Sequence, residues 1–206
     1  MSKEVQSIKI VLIGEAGVGK TCIISRYIDD KFNEETGSTN GGSFGKKNLE
    51  INGKSVQLNI WDTAGQERYQ SITKHFFRDA EAVCFVYDIT NENSFRKLEN
   101  IWYKDFLKNR TKNAILAVVG NKSDLYEKAV FDEEPARKFA KEINASFNLT
   151  SAKTGNGINE LFTSLAEKYL NPENKSIINE IIKERSECFL LNDGKNDGCC
   201  KKKKCC

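Results

Sequence analysis

The stretch Ile8-Lys9-Ile10-Val11-Leu12-Ile13-Gly14-Glu15-Ala16-Gly17-Val18-Gly19-Lys20-Thr21 decides the fold. Its first six residues are apolar at every position except Lys9, which reads as a buried strand. Gly14 to Thr21 then fits G-x-x-x-x-G-K-[ST], in the context that motif requires: a strand before it and a helix after it. Glycines let successive backbone N–H groups turn inward as an anion nest, and a helix opening at Lys20 adds the partial positive charge of its N-terminus. Lys20 places a point charge on the β- and γ-phosphates, and the Thr21 hydroxyl offers an oxygen to Mg²⁺, a hard cation. A chance Gly-rich turn is the plain alternative, and the flanking strand and helix argue against it. By itself the motif specifies a nucleoside phosphate and no more, since small-molecule kinases and ATPases carry it too.

Outward from this segment, apolar runs alternate with helical patterns. The spacing predicts a helix from about Lys20 to Asp30, a polar Gly-rich mobile loop over 31–42, and strands over Ser43–Ile51 and Ser55–Trp61. Asn52-Gly53 between them is a strong hairpin signal. Next come a strand over Ala82–Tyr87, a helix over Ser94–Asn109, a strand over Ala114–Val119, a helix over Glu133–Ile143, a short strand over Ser146–Leu149 and a helix over Ile158–Leu170. This order implies an α/β domain with a mostly parallel, six-stranded sheet and helices on both faces. Asn171-Pro172 stops the last helix. Residues 1–171 read as the domain and 172–206 as a flexible polar tail.

Composition narrows the class. The chain has 206 residues, 39% hydrophobic and 30% charged, enough for one domain with a sizeable core and a tail. A net charge of +3 is too small to argue for nucleic acid, and Lys201–Lys204 alone exceed it. No apolar run approaches the roughly 18 residues of a membrane span, and the polar N-terminus does not read as a signal peptide. Of the seven cysteines, Cys22 and Cys84 read as small buried thiols. Cys188 lies in the tail, and the other four crowd the last eight residues, too close together to staple a fold. A reducing cytosol fits this pattern.

Asn121-Lys122-Ser123-Asp124 follows the strand Ala114–Val119 and chooses the base. Guanine offers two adjacent donors, N1–H and the 2-amino group, and the Asp124 carboxylate can accept both. Adenine would leave that carboxylate unpaired, and sites built on such pairing discriminate by about 10⁴-fold or more. Lys122 can lay its alkyl stem along the base. Ser151-Ala152-Lys153 ends the next strand, where its backbone N–H groups can meet the guanine carbonyl.

With Gly14–Thr21, Asp62-Thr-Ala-Gly65-Gln66, Asn121–Asp124 and Ser151–Lys153 in this order, the chain resembles the Ras superfamily of small GTPases over nearly all of residues 7–170. Trp61-Asp-Thr-Ala-Gly-Gln-Glu-Arg-Tyr69, Phe85-Val-Tyr-Asp-Ile-Thr90 and a terminal Cys205-Cys206 resemble the Rab family within it. The resemblance implies a P-loop NTPase-type G domain that binds GTP or GDP with Mg²⁺ and hydrolyses GTP slowly unless an activating protein helps. It assigns nucleotide contacts to Gly14, Gly17, Val18, Gly19, Lys20, Thr21, Cys22, Phe32, Thr39, Gly65, Asn121, Lys122, Asp124, Ser151, Ala152 and Lys153. Phe32 would stack on the guanine. Thr21, Thr39 and Asp62 would serve the metal, Gly65 would donate its N–H to the γ-phosphate, and Gln66 would orient the attacking water, with Lys20 and Thr39, which reach the phosphates, as the other catalytic residues. Phe44, Trp61 and Phe76 would face effectors. The implied partners are an exchange factor, an activating protein, a dissociation inhibitor or escort protein, and effectors, in vesicle traffic on the cytoplasmic face of an endomembrane with a cytosolic pool. The chain departs from the family pattern at Ala16 in the P-loop, at Asn40-Gly41-Gly42 after Thr39, and at Asp79 where glycine is usual.

The tail ends Gly198-Cys199-Cys200-Lys-Lys-Lys-Lys-Cys205-Cys206. Adjacent cysteines with no nearby His close a metal tetrahedron poorly, and Lys203 at the fourth place from the end rules out a C-a-a-X box. The double cysteine resembles the Rab prenylation signal on Cys205 and Cys206. Two lipid chains anchor stably where one does not, and lysines strengthen attachment to an anionic leaflet. His75 reads as a surface residue, and Trp102, at helical spacing with Phe95 and Leu98, as packing. A switch enzyme, a nucleotide-locked adaptor and a small-molecule kinase are the three candidate functions. Gln66, Thr39 and Lys20 favour the first over the second, and Asp124 with the tail disfavours the third.

Overall fold

The apolar run ahead of the phosphate motif is a strand in the middle of the sheet, which is why it carries so few polar residues. A computed structural model describes residues 6–34, 42–63, 76–110, 114–129 and 132–171. Its strands are β1 (Gln6–Ile13), β2 (Phe44–Ile51), β3 (Lys54–Asp62), β4 (Ala82–Asp88), β5 (Ile115–Asn121) and β6 (Ser146–Leu149). They form one six-stranded sheet in the order β2-β3-β1-β4-β5-β6. Every pairing is parallel except β2 with β3, which run antiparallel from Phe44↔Trp61 to Ile51↔Lys54. Their hairpin turns at Asn52 (φ 50°) and Gly53 (φ 74°), the two left-handed residues that a tight hairpin needs.

Alternation along the strands sends side chains to two cores. Val11, Ile13, Val83, Phe85, Leu116 and Val118 join Phe95, Leu98, Trp102, Phe106 and Phe139 in one buried cluster. Ile10, Leu12, Cys84 and Ala117, equally buried, alternate onto the other face. There α1 (Lys20–Asp29) and α5 (Ile158–Leu170) pack, and Tyr27 stacks on Phe162 with ring centroids 4.1 Å apart. The α/β sheet with helices on both faces is therefore as expected. Trp102 and Phe106, each 1% exposed, contribute about 1.5–3 kcal/mol apiece through burial.

Several boundaries differ from expectation. The helix expected over Ser94–Asn109 begins earlier, where the Asn91 side chain caps it by accepting from the Asn93 N–H at 3.1 Å. It is also not uniform: α2 (Glu92–Lys97) passes through a wide π-turn (Leu98–Trp102) into α3 (Tyr103–Asn109). β5 runs past Val119 because Gly120 and Asn121 still pair with Tyr87 and Asp88. A 3₁₀ turn, Ser123–Lys128, then leads towards α4 (Glu134–Glu142). Cys22 also departs from its reading as a buried thiol. The inward stripe of α1 is Ile23, Ile24 and Tyr27, and Cys22 sits on its flank, half-buried. Cys84 is fully buried as expected, which pushes its thiol up to about 12.

The sheet also sets where chemistry can happen. Gly14, Asp62, Asp88, Asn121 and Thr150 all stand at or just beyond the carboxyl ends of the parallel strands, the end at which open α/β sheets hold ligands.

Candidate functional site

The phosphate loop is closed by its own backbone demands. Gly14 has φ 154°, and a Cβ there would collide with the Val86 carbonyl. Gly19 has φ 93° and lies so close to the Asn121 side chain that no Cβ fits. Inside the loop Lys20 is 5% exposed, and its Nζ donates to the Gly14 and Glu15 carbonyls at 2.8 and 3.0 Å. Burial pushes the Lys20 ammonium down to about 8, against the pull of the Asp62 and Glu15 carboxylates. Glu15 is itself held from α2 by Lys97 at 2.6 Å. Val18 is buried, and Gly17 sits at φ 78°.

Thr21 follows Lys20 on α1 and donates through Oγ1 to Asp62 Oδ2 at 2.6 Å. Asp62 ends β3 and is fully buried, and Ser43 Oγ lies 3.4 Å from the same oxygen. Next along, the Thr63 hydroxyl donates to the Leu12 carbonyl at 2.8 Å, which locks the end of β3 to β1.

The end expected to hold the base is built from three loops. Asn121 is buried. Its Nδ2 donates to the Val18 carbonyl at 2.8 Å, and its Oδ1 accepts from the Thr150 hydroxyl at 3.2 Å and the Ala152 N–H at 3.3 Å. Lys122 adopts a left-handed conformation, φ 69°, and its ammonium pairs with Asp88 at 2.7 Å. Asp124 is exposed, and its Oδ1 accepts from the Ser151 hydroxyl at 2.6 Å. Lys153 reaches Glu34 at 2.7 Å, two residues beyond the half-buried Phe32.

The fold thus gathers Gly14, Gly17, Val18, Gly19, Lys20, Thr21, Asp62, Asn121, Lys122, Asp124, Ser151, Ala152 and Lys153 at one end of the sheet. Thr39, Gly65, Gln66, His75, Cys205 and Cys206 lie outside the described residues. Arg26, Asp88 and Glu34 escaped sequence reasoning. Arg26 reads as one more charge on an amphipathic helix, yet it donates to the Ala152 and Lys153 carbonyls, each at 2.9 Å. Its contacts span more than a hundred residues, so no local signal reveals them.

Residues 9–171 match the family model described as the Ras family. The chain belongs to the Ras family. Its relatives carry Rab names: Ras-related protein Rab-21 of Geodia cydonium is 43% identical over 162 residues, 79% of this chain and 70% of that one. Ras-related protein Rab-13 of Rattus norvegicus is 38% identical over 192 residues, 93% and 94% of the two chains. Ras-related protein SEC4 of Saccharomyces cerevisiae is 42% identical over 159 residues, 77% and 73%. The protein is a Rab-like GTPase of vesicle trafficking that binds guanine nucleotide and hydrolyses GTP.

In this Rab GTPase the aromatic trio lies together on the surface side of the β2–β3 edge. Phe44 and Trp61 have centroids 4.6 Å apart, Trp61 and Phe76 5.6 Å, and Phe44 is 44% exposed. Gly42, one of the departures from the Rab pattern, packs directly beneath this group: a Cβ there would stand 2.5 Å from Phe76 Cζ. Asp79, another, has φ 59°, a conformation that glycine adopts without strain. No helix among the described residues is long and apolar enough to cross a membrane, and the Rab relationship points to association with endomembranes.

Proposed function

We propose that the Rab GTPase switches through the residues gathered here, with Mg²⁺ as cofactor and a lipidated tail as its tether. The observation that carries this reading is the 2.6 Å approach of the Thr21 hydroxyl to Asp62 beside the buried Lys20. A hydroxyl and a carboxylate are an oxygen-only donor set, which suits a hard cation that keeps waters and takes its other ligands from phosphates. Thr21 and Asp62, with Thr39, would hold Mg²⁺, which when bound neutralises charge on the β- and γ-phosphates.

The remaining roles belong to the chain. The Gly14–Gly19 backbone cradles the phosphates. Lys20 leaves the Gly14 and Glu15 carbonyls to donate to a phosphate oxygen. Gly65 donates its N–H to the γ-phosphate, and Gln66 orients a water in line with the γ-phosphorus. As the water oxygen bonds to phosphorus, the bond to the β–γ bridging oxygen breaks and the water's proton ends on inorganic phosphate. Asp124 accepts from guanine N1–H and the 2-amino group, braced by Ser151, while Phe32 and the Lys122 stem cover the base. Cys22 lines the start of α1 beside the phosphates.

Exchange factor, GTPase-activating protein, dissociation inhibitor or escort protein, and effectors reading Phe44, Trp61 and Phe76 complete the cycle. Cys205 and Cys206 carry prenyl groups that hold the protein on the cytoplasmic face of an endomembrane, with residues 172–206 as the tail of a domain spanning 1–171. Single-turnover phosphate release tests the enzymatic part: Gln66→Leu should bind GTP as the parent does and release phosphate far more slowly. Equal rates would remove Gln66 from the mechanism. Fractionation with mass spectrometry of the C-terminal peptide tests the tether. Membrane-bound protein with unmodified Cys205 and Cys206 would overturn it.

A further inference from the structure

The loop that follows β6 is gripped from outside by a residue of α1. Arg26, with its side chain 19% exposed, donates from Nε to the Ala152 carbonyl and from Nη2 to the Lys153 carbonyl, both at 2.9 Å. Its Nη1 turns back to Asp30, to the carbonyl at 3.1 Å and the carboxylate at 2.9 Å. The guanidinium is a rigid planar fork, and here it fixes two consecutive carbonyls together. In a trans peptide the C=O and the following N–H point in opposite directions. Holding the Ala152 carbonyl therefore aims the Lys153 N–H away from Arg26.

The neighbouring donors of the loop are already engaged. Ala152 N–H donates to Asn121 Oδ1 at 3.3 Å, and Thr154 N–H to Ser151 Oγ at 3.1 Å. The Lys153 N–H is the donor whose direction the Arg26 grip decides. On the outer side the Lys153 ammonium meets Glu34 Oε1 at 2.7 Å. That contact joins this loop to the segment just after Phe32.

We propose that Arg26 is a positioning residue for base recognition: it aims the Lys153 N–H at the 6-carbonyl of guanine, and the Glu34–Lys153 ion pair closes the Phe32 segment over the same loop, so that together they set how long nucleotide stays bound. The inference rests on the proposed base site and adds to it a residue that touches no part of the nucleotide. The ion pair is the weaker half. Its partners are 55% and 69% exposed, and surface pairs of that kind change a rate by roughly two- to fivefold.

The test compares GDP with 6-thio-GDP, which keeps the N1–H and 2-amino donors but replaces the 6-oxygen by a weakly accepting sulfur. Wild-type protein should prefer GDP. Arg26→Met should weaken GDP by about tenfold and 6-thio-GDP by under threefold, because only GDP uses the aimed N–H. Arg26→Lys, with one donor in place of the fork, should fall between. Equal losses for both nucleotides would overturn the positioning role and leave Arg26 a general brace. If Arg26→Met does not fold, the same comparison on Arg26→Lys decides. A wild type that binds both nucleotides equally would instead remove the 6-carbonyl contact from the base site. Glu34→Gln should release GDP two- to fivefold faster at low salt, with no added effect in a Lys153→Gln background. Unchanged release at low salt would overturn the closing contact.

Discussion

Thr21 on α1 and Asp62 at the end of β3, forty-one residues apart in the chain, share a hydrogen bond of 2.6 Å. The hydroxyl of the proposed cation site is thus already oriented by the carboxylate beside it. Removing Mg²⁺ with a chelator should speed GDP release from wild-type protein by tenfold or more, about 1.4 kcal/mol. In Thr21→Ala the same chelator should change release by less than threefold. Fluorescent-GDP dissociation with and without chelator measures both, and an undiminished response in the variant would place the cation elsewhere.

Ser151 fixes one oxygen of Asp124 at 2.6 Å. Losing a hydrogen bond to a charged group costs about 1.5–3 kcal/mol. Ser151→Ala should therefore weaken GDP roughly ten- to hundredfold. Asp124→Asn should shift preference towards xanthine nucleotides, since the amide presents a donor to a carbonyl. Titration with GDP and XDP reads both effects, and an unaltered base preference in Asp124→Asn would remove that residue from recognition.

Lys20 offers a pH signature. Its folded-state value is lowered to about 8 from an ordinary 10.5. The unfolded chain therefore binds more protons between these values, and the nucleotide-free domain gains stability from this group as pH rises from about 8 towards 10.5. Below about 8 the lysine is charged in both states and the burial cost is fully present. Phosphate restores a partner for the charge, so nucleotide binding near pH 8 should take up a fraction of a proton. Calorimetry in two buffers of different ionisation enthalpy measures that uptake, and zero uptake at pH 8 to 9 would contradict the lowered value.

Asp79 stands at φ 59°, where a side chain costs about 1 kcal/mol and glycine almost nothing. Asp79→Gly should raise stability by about 0.5–1 kcal/mol, less the entropy glycine adds to the unfolded chain. A thermal melt at saturating GDP checks it, and a lower melting temperature would show that the aspartate makes up its strain through its neighbours.

The central strands β1, β4 and β5 were legible because they are buried on two sides. Ile8–Ile13 and Ala82–Tyr87 have no polar alternation to blur them, and Asn52-Gly53 marks its hairpin by the rare φ values it supplies. The phosphate and base motifs were legible because backbone approach leaves glycine or a fixed polar group no substitute. The π-turn at Leu98–Trp102 was not, since apolar spacing reads the same through an α or a wide turn. Arg26 and Asp88 were not, because their partners, Ala152, Lys153 and Lys122, arrive only when distant loops meet. Cys22 was misread because one helical position separates the inward stripe from its flank.

Asn121, through its amide, ties the base loops to the Val18 carbonyl of the phosphate loop. A nucleotide held at the proposed site would therefore bridge two grips whose spacing the protein holds constant, a bivalent ligand in miniature. When the phosphates let go, the base would keep them at high effective concentration and recapture would outpace escape, and the reverse would hold for the base. Residence then multiplies where separate sites would only add. A factor that hastens release need not weaken both grips, because prising open either one while it acts turns recapture into departure.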